Sequence, residues 1–200
     1  MVAKNDMELA YKNWKKWQLV FEHQGEASEN PLLAKANLFK EFMAEYSVSR
    51  TIRAGQHDLF REMLGSDQVN LAVKLNDESG CGLDMLDDEL RSDFGTIGGK
   101  RGLRSVLSKV MAFLAPHSFV AWDQYARIGL NIKLGYSKSY VPSTYAEYLA
   151  GVNLLLKGDM REQLVKIAQG NYPTTYSSQN ERFHRRVLDV HLMRIGGRWK

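Results

Sequence analysis

Leu103-Arg104-Ser105-Val106-Leu107-Ser108-Lys109-Val110-Met111-Ala112-Phe113-Leu114-Ala115-Pro116 is the stretch on which the fold turns. Apolar side chains recur at Leu103, Val106, Leu107, Val110, Met111 and Leu114. That three-and-four spacing puts them on one face of an α-helix. Pro116 lacks an amide hydrogen and its ring crowds the preceding turn, so the helix stops there. Upstream, Gly95, Gly98, Gly99 and Gly102 crowd one short window and predict a turn-rich loop. Downstream, Asp123 is placed to cap a further helix running to about Leu130.

The same periodicity extends outward. Leu9, Trp14, Trp17, Val20 and Phe21 predict one helix over Asp6 to Glu22. Asn30 caps a helix that Pro31 opens, with an apolar face from Leu32 to Tyr46. The segment from Ser47 to Arg53 reads less clearly because Val48, Thr51 and Ile52 are β-branched. Gly55 ends it. Asp58 to Leu64 is a short helix closed by Gly65, and Ser66 caps another over residues 67 to 76. Ser79 to Gly82 is a turn, followed by an acidic helix from Leu83 to Arg91. Thr144 to Lys157, Asp159 to Gln169 and Gln179 to Ile195 complete the set, with a loop from Asn171 to Ser178 and a stop at Gly196-Gly197. No run alternates in the manner of a strand. The reading is an all-α protein of about ten helices in one compact domain over residues 1–200.

Composition narrows the class. Hydrophobic residues make up 44% of the 200 and charged residues 25%, so the chain can build a core and is not a disordered or collagen-like polymer. The single cysteine, Cys81, excludes an intrachain disulfide, a cysteine-rich zinc site and a four-cysteine iron–sulfur cluster. Its acidic neighbourhood disfavours a nucleophilic thiolate. No apolar run is long enough to span a membrane, and the first residues lack a signal-peptide pattern. The expectation is a cytoplasmic protein with no cofactor and no metal. His184 and His191 share a helix face with Asp189 nearby, but no third ligand follows a metal-binding pattern.

The net charge of +4 hides an asymmetry. Acids crowd Asp77 to Asp93, and bases crowd Lys100 to Lys138 and Arg182 to Lys200. Two basic segments suit a nucleic-acid backbone; read plainly, they are solvated helix faces.

Glycine loop, lysine-bearing helix, Pro-containing connection and capping Asp form the constellation that could carry chemistry. Glycines let backbone amides approach a phosphate, and a helix N-terminus adds partial positive charge. A lysine can attack a sugar carbon and form a Schiff base. A rigidly held carboxylate can stabilise an oxocarbenium-like transition state. Against this stands the plain reading: Asp is a favoured cap, and lysine on an amphipathic helix is usually solvated.

Leu107-Ser108-Lys109-Val110-Met111-Ala112-Phe113-Leu114-Ala115-Pro116, then Phe119 and Trp122-Asp123, resemble the pattern of bacterial proteins with the fold of 8-oxoguanine DNA glycosylase, in the helix-hairpin-helix DNA glycosylase superfamily. So does Phe183-His184-Arg185-Arg186-Val187-Leu188-Asp189-Val190-His191-Leu192-Met193 with Gly196-Gly197-Arg198, and less fully Ser49-Arg50-Thr51-Ile52-Arg53-Ala54-Gly55. The resembling pieces spread over roughly residues 45 to 200. The family's Leu-Pro-Gly-Val-Gly hairpin is not present as such. Lys109 and Asp123 also stand about one helical turn closer than in familiar members.

The resemblance implies a helix-hairpin-helix glycosylase fold, with two lobes and a cleft near Lys109 and Asp123. It implies duplex DNA as partner, with the target nucleotide flipped into a pocket. Asp123 matches the essential acid. Lys109, with Lys100 as rival, matches the nucleophile of members that are also AP lyases. Gly98, Gly99 and Gly102 would be the hairpin, and Lys100, Arg101 and Arg104 would bind phosphates. Arg185, Arg186 and Arg198 would extend the track, or the arginines of the final helix would pair with the acidic segment. Gln179 and Phe183, one turn apart, match the residues that contact the flipped base, with Trp122 lining the same pocket; a capping Gln and core aromatics are the plain alternative. Two rivals remain: a catalytically altered DNA-binding module of the same fold, as in antiphage defence, and a purely structural interaction protein.

Overall fold

The computed structural model describes residues 3–23, 25–46, 52, 55–64, 67–94, 103–136, 141–169 and 181–198. These residues form twelve α-helices, one short 3-10 turn at Ala27–Glu29 and no strand, so the all-α reading holds. In chain order the helices are α1 Lys4–Lys16, α2 Gln18–Phe21, α3 Pro31–Ala34, α4 Ala36–Glu45, α5 His57–Met63 and α6 Asp67–Ser79. They continue with α7 Gly82–Phe94, α8 Arg104–Leu114, α9 Gln124–Leu134, α10 Tyr145–Lys157, α11 Asp159–Gln169 and α12 Glu181–Ile195. No helix among the described residues is long and apolar enough to cross a membrane.

The chain divides into two compact units: Gln18–Ala121, and a discontinuous one built from Met1–Trp17 and Trp122–Lys200.

The continuous unit holds α2 to α8. Asn30 caps α3 as expected, its Oδ1 accepting from the Leu32 amide at 3.0 Å. Its Nδ2 also donates to the Val20 carbonyl at 3.0 Å, so both ends of a buried amide are satisfied. The helix expected from Pro31 to Tyr46 is in fact two. Lys35 is extended (φ −115°, ψ 105°) and starts α4 afresh. The change of direction lets Leu32 and Leu33 bury on α3 while Phe39, Phe42 and Met43 bury on α4. Phe113 of α8 anchors a ring cluster, 4.5 Å from Phe21, 4.9 Å from Phe42 and 5.1 Å from Tyr46. α8 ends where Pro116 requires. The acidic α7 meets the start of α8: buried Asp87 accepts from the Leu103 amide at 2.8 Å and from Arg91.

The discontinuous unit holds α1 and α9 to α12. The helix expected from Asp6 to Glu22 breaks at Trp17, whose amide is shared between the carbonyls of Asn13 and Trp14. Such a tightened turn closes a helix. Asp123 caps α9, which runs to Leu134, one turn past the expected end, and closes on Gly135 in the left-handed conformation (φ 71°). Thr144 and Glu147 cap α10 reciprocally. α9 and α12 pack antiparallel at backbone distance. A Cβ at Gly129 would lie 2.0 Å from the Leu192 carbonyl oxygen, and one at Gly196 would lie 1.9 Å from that of Tyr125. The two contacts repeat one turn apart, and only glycine allows them.

α1 docks on α12 through buried polar groups. Asp6 receives Arg194 Nε at 2.7 Å and Nη2 at 2.9 Å, with His191 Nδ1 at 2.8 Å. An ionised carboxylate only accepts, so Nδ1 carries the imidazole proton. Burial pushes the Asp6 carboxyl up, but hydrogen bonds from His191, Arg194 and the Ala3 amide outweigh it, and the group stands well below the ordinary carboxylate range.

Candidate functional site

Asp123 is the best-defined candidate. Its backbone is extended and its Oδ1 accepts from the Tyr125 amide at 2.9 Å. The last segment of the same unit brings Arg198 Nη1 to 3.3 Å from Oδ2. Both oxygens are therefore oriented, one by a helix N-terminus and one by a guanidinium. Such a carboxylate can stabilise positive charge that develops beside it or align a nucleophile.

Trp122 precedes it and is nearly buried, at 9% exposure. Its ring faces the Arg127 guanidinium at 4.3 Å and meets Tyr148 edge-on at 5.5 Å. Burial pushes the Tyr148 phenol up, so it stays protonated.

Lys109 belongs to the continuous unit. It lies on α8 between buried Ser108 and Val110 and is itself only 9% exposed. Its Nζ donates to the Tyr46 carbonyl at 3.5 Å. Lysine is seldom this buried. Lys109 and Asp123 are thus each set by neighbours in their own unit.

The other expected site residues divide into three groups. Gly98, Gly99, Lys100, Arg101, Gly102 and Gln179 lie outside the described residues. Arg104, Arg185 and Arg186 each have a carboxylate at hand. Arg104 pairs with Asp84 at 2.7 Å and Arg185 with Glu181 at 3.4 Å. Arg186 pairs with Asp189 and donates to Asn13 Oδ1 at 3.0 Å. Phe183 is fully enclosed, packed edge-to-face on Trp14 with ring centres 5.8 Å apart; it is a core ring as it stands.

His184 and His191 are both buried on α12, His191 with its Nδ1 on Asp6. Among the described residues no three His, Cys, Asp or Glu side chains are grouped to hold a metal ion.

Sequence reading missed the Asp6 cluster and the Arg198 contact to Asp123. The first left a signal: Asp6 falls on the same stripe as Met7, Ala10 and Trp14, and an acid in an apolar stripe needs a buried partner. The second left none, because 75 positions separate the two residues.

Comparison with protein-family models, with curated proteins and with solved structures finds no match to this chain.

Proposed function

We propose that the chain is a DNA glycosylase of the helix-hairpin-helix kind, excising an oxidised or modified purine such as 8-oxoguanine from duplex DNA in the cytoplasm. The observation that carries this reading is the setting of Asp123. It caps a helix, follows an apolar run, and has both oxygens oriented. That is the role the sequence resemblance assigns to it.

In the reaction, Asp123 stabilises the positive charge that builds on the sugar as the glycosidic bond breaks. The base departs with the bonding electrons and takes up a proton. Where Lys109 is the nucleophile, its neutral amine bonds to C1′ and the sugar ring opens to a protonated Schiff base. Loss of a C2′ proton then expels the 3′ phosphate by β-elimination. Arg104, Arg185 and Arg186, with the basic glycine loop, supply the phosphate contacts.

One observation favours a second reading, a catalytically altered DNA-binding module of the same fold. Lys109 sits within the buried face of α8, its amine on a backbone carbonyl. A lysine fixed there has a structural use.

Duplexes carrying single modified bases, incubated with the protein and then borohydride, separate the two. The glycosylase with lyase activity gives a covalent adduct that disappears in Lys109→Ala, and base release that disappears in Asp123→Asn. An adduct that survives Lys109→Ala but not Lys100→Ala moves the nucleophile to Lys100. DNA binding with neither adduct nor abasic product on any lesion leaves the binding module. Absent or salt-insensitive DNA binding ends both readings.

A further inference from the structure

We propose that a cavity within the discontinuous unit, among α10, α11 and α12, is a binding site for a phosphate group. The cavity has a volume of about 300 Å³ and is lined by Asn153, Lys157, Arg161, Glu181, His184 and Arg185. That is the lower end of the range for small-ligand sites, enough for a phosphate and part of the group that bears it. The site lies wholly within one unit; it shares Arg185 with the phosphate contacts proposed above but involves neither Lys109 nor Asp123, so failure of base excision and failure of this site are told apart.

Charge is the first argument. Three cations, Lys157, Arg161 and Arg185, face a single carboxylate, Glu181. Lys157 ends α10 and Arg161 lies in the first turn of α11. The bend at Gly158 folds one helix back against the other, and the Arg161 amide bonds the Gly158 carbonyl at 2.9 Å. Two basic side chains from different helices therefore share one mouth.

Arg185 is the second argument. Its side chain is only 11% exposed, and its Nε and Nη1 are buried with no hydrogen-bond partner among the described residues. Its carboxylate partner is Glu181 at 3.4 Å, which is 63% exposed and so a weak, screened counter-charge. A buried guanidinium with two open donors is costly. Its planar fork matches the oxygens of a phosphate. Asn153 adds an unpartnered buried Oδ1, and a half-turn of its amide would offer a donor at the same place. A carboxylate ligand would neutralise one charge, whereas a phosphomonoester carries about −1.5 to −2 and fits the excess better.

The phosphate can belong to a small phosphomonoester or to a nucleic-acid strand. Calorimetric titration with inorganic phosphate, with AMP and with a short oligodeoxynucleotide lacking terminal phosphates separates these sources. The Arg185 Nε–H resonance is followed by NMR in each titration. The expected result is saturable binding of phosphate or AMP with a shifted Arg185 resonance. Arg161→Gln, a substitution at an exposed position, weakens it about tenfold. Glu181→Gln, which removes the competing carboxylate, tightens it about threefold; a merely structural Glu181–Arg185 pair would not respond in that direction. Saturation by AMP alone identifies a monoester site. An oligonucleotide that shifts the same resonance and loses affinity in Arg161→Gln identifies a strand contact. No saturable binding of any of the three overturns the proposal, as does binding that Arg161→Gln and Glu181→Gln leave unchanged.

Discussion

The continuous unit and the discontinuous unit keep their helices together by different means. In Gln18–Ala121 the centre is a cluster of rings around Phe113 that ties α8 to α2 and to the end of α4. In the other unit α1 must find α12 across almost the whole chain. It does so with a buried acid gripped by His191 and Arg194. α9 and α12 meet backbone to backbone over two glycines. Ring packing is nondirectional and tolerates adjustment. A buried ion cluster and a glycine contact accept one register only, because an unpaired charge or an added methyl is penalised at once. The contrast teaches that segments far apart in sequence can be joined in two ways, by adaptable ring packing or by a directional contact that fixes one register.

The sharpest way to break that contrast is Gly129→Ala. The added Cβ, in the middle of α9, would stand 2.0 Å from the Leu192 carbonyl oxygen, so α9 and α12 must part. The expected cost is about 4 kcal/mol or more in urea unfolding. Gly82→Ala in the continuous unit also meets a carbonyl, that of Ala72 at 1.9 Å. It sits at the first residue of α7, where a helix end can pivot, and should cost about 2 kcal/mol. Equal losses would erase the distinction.

Phe113→Ala removes the hub of the ring cluster and should cost about 3–4 kcal/mol by the same measurement. Amide exchange should quicken first in α2, α4 and α8; uniform quickening of α9 and α12 instead would contradict a core local to that unit.

Asp6→Asn should cost about 2 kcal/mol at pH 7, since it takes away the ionised acceptor that buried His191 and partly exposed Arg194 both bond. The folded-state carboxyl lies below its ordinary value of 3.8. Its stabilisation is therefore complete above that value and is lost as pH falls further, toward the folded-state titration. The melting-temperature gap between wild type and Asp6→Asn should be widest near neutrality and shrink below about pH 4. A gap that does not change with pH would remove the charge from the account of how α1 is held.

Thr144→Ala is the smallest of the five, at about 1 kcal/mol. It takes the hydroxyl from the Glu147 amide, and its effect on melting should be confined to a local loss of protection in the first turn of α10.

How far the sequence revealed these features depended on distance along the chain. Asn30 with Pro31, Asp123, Thr144 and Pro116 marked helix ends because capping is a matter of two or three residues. The breaks at Trp17 and Lys35 were illegible, since both interrupt patterns whose apolar spacing runs straight through them. What redirects the chain there is the place where each face finds room to bury. At the candidate site, the cap role of Asp123 was legible for the same local reason. The burial of Lys109 was not, because its helical position alone reads as equally suited to solvent. The partner of Arg104, Asp84, was foreshadowed by the clustering of opposite charges, whereas Arg186 pairs with Asp189 on its own helix and not with the acidic segment. Nothing in the sequence marks the two Arg185 donors, because only the fold buries them without a hydrogen-bond partner among the described residues.

The seating of Gly196 on Tyr125 has a wider consequence. Tyr125 supplies the amide that holds one oxygen of Asp123, and Arg198, two residues after Gly196, reaches the other. A missing methyl group at residue 196 therefore acts as a spacer gauge for an acid 73 positions away. Any side chain there would push the end of α12 outward and take Arg198 with it. The orientation of the carboxylate is thus written into a place that carries no functional group at all, and a variant at residue 196 would misplace Arg198 without removing any polar group around Asp123.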